Sequence, residues 1–189
     1  EVDFVFIPKT KEIYKEKRHY KIKLPKEKNF LCGKFRKKHF DGVIDVVDRL
    51  LTLINPSYMF LGEKDFQQLY LIKKHIKNKF KVKIIPCKTV RDKNYVALSS
   101  RNYLLSKKAL ITSGKIARTL KLYKNSVIKN KRNLFKINKI KIKLLREFDI
   151  KIDYLEFRNE TNLNIYKKNK RSRLFVAYHI NKVRLIDNF

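Results

Sequence analysis

At 189 residues the chain is long enough for one large domain or two small ones, and with 43% hydrophobic and 12% aromatic residues it can bury a core. No apolar run approaches the roughly 20 residues of a membrane span, and no basic stretch followed by an apolar one marks a signal peptide. The net charge of +31 raises nucleic-acid binding as a reading, but the lysines are scattered through every segment, and the wealth of Lys, Ile, Asn, Phe and Tyr is what AT-rich codons produce. Specific nucleic-acid recognition is therefore not expected, although salt-dependent sticking to polyanions is.

In chain order, Val2 to Pro8 reads as a buried strand. Because it opens the chain without Met, the chain is expected to be the later part of something longer. Residues 9–40 are polar and irregular, with a short alternating stretch at Tyr20-Lys21-Ile22-Lys23-Leu24. Val43, Val46, Val47, Leu50, Leu51 and Ile54 recur at helical spacing and predict one apolar helix face, ended by Asn55-Pro56. Tyr58 to Leu61 predicts a short strand. A helix follows from Asp65, a candidate N-cap, with Leu69, Ile72, Ile76 and Phe80 on one side. Val82 to Ile85 predicts the next strand, stopped by Pro86. Strand, helix and strand with short loops form a βαβ unit and imply a parallel sheet, whose ligands bind beyond the carboxyl ends of its strands.

Past Pro86 the texture changes. Thr89 to Ser106 reads as a polar loop, followed by helices near 106–123 and 133–148. Lys151–Arg158 and Arg173–Ile180 alternate like antiparallel strands, and Val183–Ile186 predicts a last one. A boundary falls near Val90, giving an α/β unit over residues 1–89 and a smaller α+β unit over residues 90–189.

Three stretches carry chemistry. Gly62-Glu63-Lys64-Asp65 sits where the first parallel strand ends. Its glycine admits close backbone approach, the helix N-terminus after it suits phosphate, and Lys64 adds a mobile charge. Gln68 shares a helix face with Asp65. Ala97-Leu98-Ser99-Ser100-Arg101-Asn102 offers two adjacent hydroxyls and a guanidinium for a polyphosphate. Cys32 to Phe40 is a basic loop in which Arg36 and His39 are placed to meet an anion. Each stretch alone also reads as a solvated turn, a helix entry or a basic loop. Cys32 and Cys87 stand far apart with no ligand spacing, so two reduced thiols are expected and no metal site. His75 reads as exposed, His179 as structural, and His19 as lacking a partner.

Taken together, "FLGEKDFQQL" (60–69), "TVRDKNYVALSSRNYLLS" (89–106), "LCGKFRKKHFDGV" (31–43) and "VRLIDN" (183–188) resemble the pantothenate synthetases, the pantoate–beta-alanine ligases, in order and in spacing. The resemblance implies a Rossmann-like nucleotidyltransferase domain followed by a lid domain, in a cytosolic homodimer with no membrane association. It implies an ATP- and Mg2+-dependent condensation of pantoate with β-alanine through a pantoyl adenylate. Carried over by position, Gly62, Glu63, Lys64 and Asp65 form one ATP segment, with Lys64 beside the α-phosphate and Gly62 and Asp65 toward the ribose. Val90 would contact the nucleotide through its backbone. Leu98, Ser99, Ser100 and Arg101 form the second ATP segment, with Arg101 and Lys64 in the catalytic roles. Gln68 would hold pantoate, and Arg36 and His39 would line the pantoate side.

The departures define further expectations. The family's nucleotide-binding His-x-x-His segment and an early glutamine that helps hold pantoate are absent, so the chain on its own is expected to be inactive. Two positions where glycine is usual carry Tyr95 and Asn181. Asparagine tolerates left-handed backbone and tyrosine does so poorly, so the loop at Tyr95 is expected to be rebuilt. The rival readings are a basic nucleic-acid-binding module and an inactive remnant of the ligase.

Overall fold

The computed structural model describes residues 2–15, 22–166 and 171–189, with backbone alone at residue 131. His19, Tyr20 and Lys21 lie outside the described residues. Residues 2–8 do not form the expected strand: they pair with nothing among the described residues, and Phe4 is 92% exposed. A strand exists only where a neighbour takes its hydrogen bonds, and none of the described residues does so.

A short helix α1 (Thr10–Ile13), a 3-10 turn (Lys26–Asn29) and α2 (Leu31–Phe35) lead into α3 (His39–Ile54). Asn55 ends α3 in a left-handed conformation, φ 48°, with its amide bonded to Leu51 O at 2.9 Å. The buried face of α3 is rotated from the one its apolar spacing predicts: Phe40, Ile44, Asp48 and Leu51 point inward, while Leu53 and Ile54 are exposed. Asp48 is the reason. Its carboxylate accepts from His75 Nε2 at 2.6 Å and Lys79 Nζ at 2.5 Å across the α3–α4 contact, so a charge occupies a core position because it is paired there. His75, expected to be exposed, is held in this pair with its side chain only 11% accessible.

β1 (Tyr58–Gly62), α4 (Phe66–Ile76) and β2 (Lys83–Cys87) form the predicted βαβ unit, with the strands parallel and in register from Tyr58 opposite Lys83 to Gly62 opposite Cys87. Pro86 does not stop β2. The Lys83 amide donates toward β1, to Ser57 O at 2.9 Å, and the two-residue alternation turns residue 86 away from that edge, where a missing N–H costs nothing.

α5 (Lys107–Lys129) is capped by Ser106, whose hydroxyl accepts from the Ala109 amide at 3.2 Å, and α6 (Ile137–Glu147) follows. β3 (Lys151–Asn159), β4 (Ser172–Ile180) and β5 (Val183–Asn188) make an antiparallel sheet in that order. Asn181 and Lys182 join β4 to β5 with φ values of 47° and 65°, the paired positive angles of a two-residue hairpin turn.

Both faces of this sheet are buried. Leu174, Val176, Tyr178 and Ile180 face α5 and α6, while Phe175 and Ala177 face the core shared with α3 and α4. A bulge between Ile152 and Tyr154 shifts the alternation of β3, so Ile152 and Leu155 share one face and Tyr154 joins the other. The sheet thus fixes the second half of the chain against the first.

Candidate active site

The Gly62–Asp65 segment turns at the carboxyl end of β1 in a 3-10 conformation and runs straight into α4. Asp65 occupies the N-cap position but makes no capping bond. Its ψ of 51° departs from the extended backbone that aims a carboxylate at the next amides, so the side chain stays available. The turn is clasped from the other end of the chain. Asn188 Nδ2 donates to both Glu63 O and Lys64 O at 2.9 Å. Arg173 bridges Asn188 Oδ1 at 2.7 Å and the Glu63 carboxylate at 3.4 Å, with its guanidinium 4.3 Å from the Phe66 ring centre.

The second segment hangs on a tight loop. Leu98 N donates to Val90 O at 2.9 Å, and the Asp92 carboxylate accepts from the Asn94 and Val96 amides at 2.9 and 2.8 Å. Tyr95 keeps a left-handed backbone, φ 74°, so the loop is not rebuilt around it; its ring lies 4.7 Å from the Arg91 guanidinium. Arg91 grips Asp187 with a two-pronged ion pair, 2.7 and 2.9 Å, and lies over the Phe189 ring at 4.8 Å. Gly114 of α5 faces this loop so closely that a Cβ there would stand 2.1 Å from Asn94 O. Ser99 then caps a short 3-10 turn, its hydroxyl accepting from the Arg101 amide at 3.3 Å, and Arg101 Nη1 donates to Arg184 O at 2.8 Å.

These two segments open into one cavity. Lys64, Asp65, Ser99 and Arg101 line a space of about 210 Å³ together with Arg36, Arg184 and Asp187. A smaller chamber of about 40 Å³ adjoins it, lined by His39 and Gln68 among apolar groups, and Arg36, Lys64, Asp65 and Asp187 line both. The paired glutamines are sorted by their bonds. Gln67 is buried and spent on the Cys32 amide and the Glu27 and Phe30 carbonyls, whereas Gln68 faces the chamber.

Other residues singled out from the sequence stand apart from both chambers. Val90 and Leu98 lie side by side at 65% and 51% exposure, and Ser100 is exposed beside them. Gly62 also faces open space, with nothing within 4 Å of where a Cβ would be. Glu63 turns its carboxylate to Arg173 and braces the turn. Reading the sequence met Arg184, Asp187 and Asn188 only as part of VRLIDN and gave them no role in the site, because their roles depend on partners up to 152 positions away. Arg184 is pinned by Asp153 at 2.8 Å and lies 3.7 Å from the Cys32 sulfur, which itself meets the Tyr154 hydroxyl at 3.1 Å.

The cavity favours anions. Burial and the positive Arg36 hold His39 below the ordinary histidine range, so near neutral pH its ring is uncharged. Burial raises the Asp187 carboxyl, a shift that the Arg91 pair opposes. Burial pushes the Tyr178 phenol up to about 12, which keeps it a hydrogen-bond donor at the cavity wall.

The sequence profile described as Pantoate-beta-alanine ligase matches residues 1–189. The chain belongs to the pantoate–beta-alanine ligase family. It is 38% identical over 190 residues to a pantothenate synthetase of Caldicellulosiruptor saccharolyticus, covering 99% of this chain and 68% of that protein. It is 42% identical to a bifunctional pantoate ligase/cytidylate kinase of Prochlorococcus marinus, covering 98% of this chain and 37% of that one. Among solved structures, the pantothenate synthetase of Thermus thermophilus superposes with a TM-score of 0.88 at 30% identity, over 100% of this chain and 69% of that one. A ligase from Francisella tularensis, complexed with beta-gamma ATP and beta-alanine, superposes with a TM-score of 0.72 at 34% identity, over 95% and 61% of the two chains. The chain therefore spans about two thirds of the length of the first pantothenate synthetase it matches, and the ligase family's mixed α/β fold is the one found here.

Proposed function

We propose that the protein joins pantoate to β-alanine at the expense of ATP, through a pantoyl adenylate. The observation that carries this reading is that Lys64 and Arg101 line one cavity, with Gln68 in the chamber that shares Lys64. Both nucleophiles of the reaction belong to substrates. The protein's task is to bring mutually repelling anions together and to stabilise the charge that develops between them.

In the first step the pantoate carboxylate attacks the α-phosphorus; an O–P bond forms and the bond to pyrophosphate breaks. Gln68 and His39 hold pantoate in the smaller chamber, Lys64 faces the α-phosphate at the junction, and Ser99 and Arg101 hold the polyphosphate, with the exposed Ser100 outside that grip. Gly62 and Asp65 meet the ribose, and the exposed pair Val90 and Leu98 takes the base. Glu63 positions the turn through Arg173. In the second step the β-alanine amine attacks the acyl carbon; a C–N bond forms, AMP leaves, and the ammonium proton is given up.

Mg2+ fits this arrangement as a companion of the triphosphate, because it takes most of its ligands from phosphate and water. Among the described residues no group of three or more acidic, His or Cys side chains competes to hold it alone. The reading extends to a homodimeric, cytosolic enzyme with a nucleotide domain over residues 1–89 and a lid over residues 90–189. Among the described residues no helix is long and apolar enough to cross a membrane.

The test is pantoate-dependent exchange of labelled pyrophosphate into ATP, followed by pantothenate formation when β-alanine is added. Lys64→Ala should slow exchange by about a thousandfold, the scale of one lost transition-state donor, with little change in the KM for pantoate. An unchanged rate removes Lys64 from the chemistry, and absence of any exchange when residues 1–189 are assayed together with the His-x-x-His segment they lack rejects the ligase reading.

A further inference from the structure

The lysines are spread along the chain, but the carboxylates are not. Between Asp92 and Glu147 lie 54 residues with 16 basic side chains and no acidic one. All 17 acidic residues fall in the other 135 positions, about one in eight, so a run of this length would ordinarily hold about seven. A codon bias that enriches lysine acts along the whole chain and does not explain where the acids are missing. This run builds α5, α6 and the 3-10 turn that joins them (Lys131–Lys136). Both helices pack one side on the β3–β5 sheet and turn the other to solvent. On α5, Ser113 and Ala117 line the cavity, while Lys108, Ile111, Lys115, Arg118 and Leu122 lie about half a turn round the helix from them, all exposed. On α6, Leu144 is buried and Lys139, Ile142 and Arg146 are exposed opposite it. Leu122 is 70% exposed and Phe135, in the joining turn, 81%. Among the described residues no carboxylate pairs with Lys108, Lys115, Arg118, Lys139 or Arg146, and Lys143 alone on these helices meets one, Glu147 at 3.6 Å.

We propose that the outward sides of α5 and α6 rest on an anionic lipid surface. The occupant of this face has to accept cations and apolar side chains together, because the two alternate along one ridge. An anionic bilayer does so: headgroup phosphates meet Lys115, Arg118 and Lys139, and the layer beneath them takes the tips of Leu122 and Phe135. The phosphates of a nucleic acid would pair with the same cations but would leave Leu122 and Phe135 beside charge, where they gain nothing. Shape agrees. Two helices on a sheet present a broad outer face, and α5 alone runs for about 35 Å. Such docking needs no spanning segment, and among the described residues no helix is long and apolar enough to be one. It departs from the absence of membrane association that the family resemblance implied. The cavity lies on the other side of α5, so docking leaves Ser113 and Ala117 where they are. The proposal stands apart from the ligase reading, since it concerns binding alone.

The experiment is co-sedimentation of the protein with vesicles of phosphatidylcholine, with or without added phosphatidylglycerol. The protein should bind only the vesicles that contain phosphatidylglycerol, and salt should weaken that binding. Lys115→Gln combined with Arg118→Gln should lower the partition coefficient about twenty-five-fold, because each cation near such a surface contributes about fivefold. Lys73→Gln combined with Lys77→Gln, at exposed positions on and just past α4, makes the same change in net charge away from this face. That pair should lower binding less than about twofold. Leu122→Ser combined with Phe135→Ser should lower vesicle binding about tenfold at unchanged charge, and should leave binding of a single-stranded oligonucleotide as it was. All six positions are exposed, so urea midpoints should stay together and show that each variant is folded. Absence of vesicle binding, or equal binding to phosphatidylcholine alone, overturns the proposal. Equal losses from the two cation pairs also overturn it, because net charge would then account for the binding. Unchanged vesicle binding after Leu122→Ser with Phe135→Ser does the same. If oligonucleotide binding is then lost in the 115 and 118 pair alone, the face belongs to a nucleic acid.

Discussion

Gly114→Ala should damage a site it never touches. A Cβ at position 114 would lie 2.1 Å from Asn94 O, 3.0 Å from Asn94 C and 3.2 Å from Asn94 Cβ. Ordinary contact begins at 3.4 Å, so the backbone at Asn94 must retreat by about 1.3 Å or α5 must shift by as much. The loop resists, because Asp92 ties the Asn94 and Val96 amides and Arg91 ties the loop to Asp187. Overpacking of this kind costs about 1–3 kcal/mol, against about 0.5–1 kcal/mol gained by replacing a helical glycine with alanine. The net expectation is a loss of up to about 2.5 kcal/mol, read as a lower midpoint in urea at unchanged slope. The loop delivers Ser99 and Arg101 to the cavity, and displacements near 1 Å cost about a hundredfold in rate. Pyrophosphate exchange should therefore fall about ten- to one-hundred-fold. Gly42→Ala is the control: it is also helical, nothing lies within 4 Å of its Cβ position, and it should gain about 0.5–1 kcal/mol. If Gly114→Ala proves as stable as Gly42→Ala and exchanges pyrophosphate at the normal rate, the contact between α5 and the loop does not constrain the site.

Asn188→Ala removes the donor from Glu63 O and Lys64 O and should cost about 1–3 kcal/mol in urea while raising the KM for ATP; a neutral result would mean that the turn holds itself. Tyr95→Gly should be about 1 kcal/mol more stable than Tyr95→Ala, reversing the usual order, because φ at this position is 74°; the usual order in matched urea curves would refute the strain. The folded state holds His39 below its ordinary value through burial and Arg36, so on acidification the unfolded chain takes this proton first. This site's contribution to stability is complete above the ordinary histidine range and declines as the pH falls through that range toward the folded value. Arg36→Gln should move the His39 titration upward when followed by NMR, and a downward move would contradict the stated cause.

Local patterns carried the βαβ unit and the three C-terminal strands, because those elements announce themselves by period and by turn residues within ten positions. The turn at Gly62–Asp65 and the loop at Leu98–Arg101 were legible as anion-handling stretches, and the resemblance to pantothenate synthetases joined them. What was not legible depends on distant partners. Asp48 gives no sign in the sequence of His75 and Lys79, which only the packing of α3 on α4 brings to it. Residues 2–8 spell a strand, but spelling does not supply a neighbour. Asn188 reads as an ordinary polar residue near a strand end, and only the fold brings its amide to the Lys64 carbonyl. Asp65 reads as a cap because it precedes a helix, yet the 3-10 turn before it removes the geometry that capping needs.

The clasp formed by β5 also sets an order of events during synthesis. A ribosome that has added residue 182 has already made the turn holding Lys64 and the loop holding Arg101, but nothing yet ties them together. Asp187 and Asn188 supply those ties across separations of 96 and 124 positions. The nascent chain can thus build its βαβ unit early, while the cavity takes shape only once residues 183–188 have emerged and β5 zips onto β4.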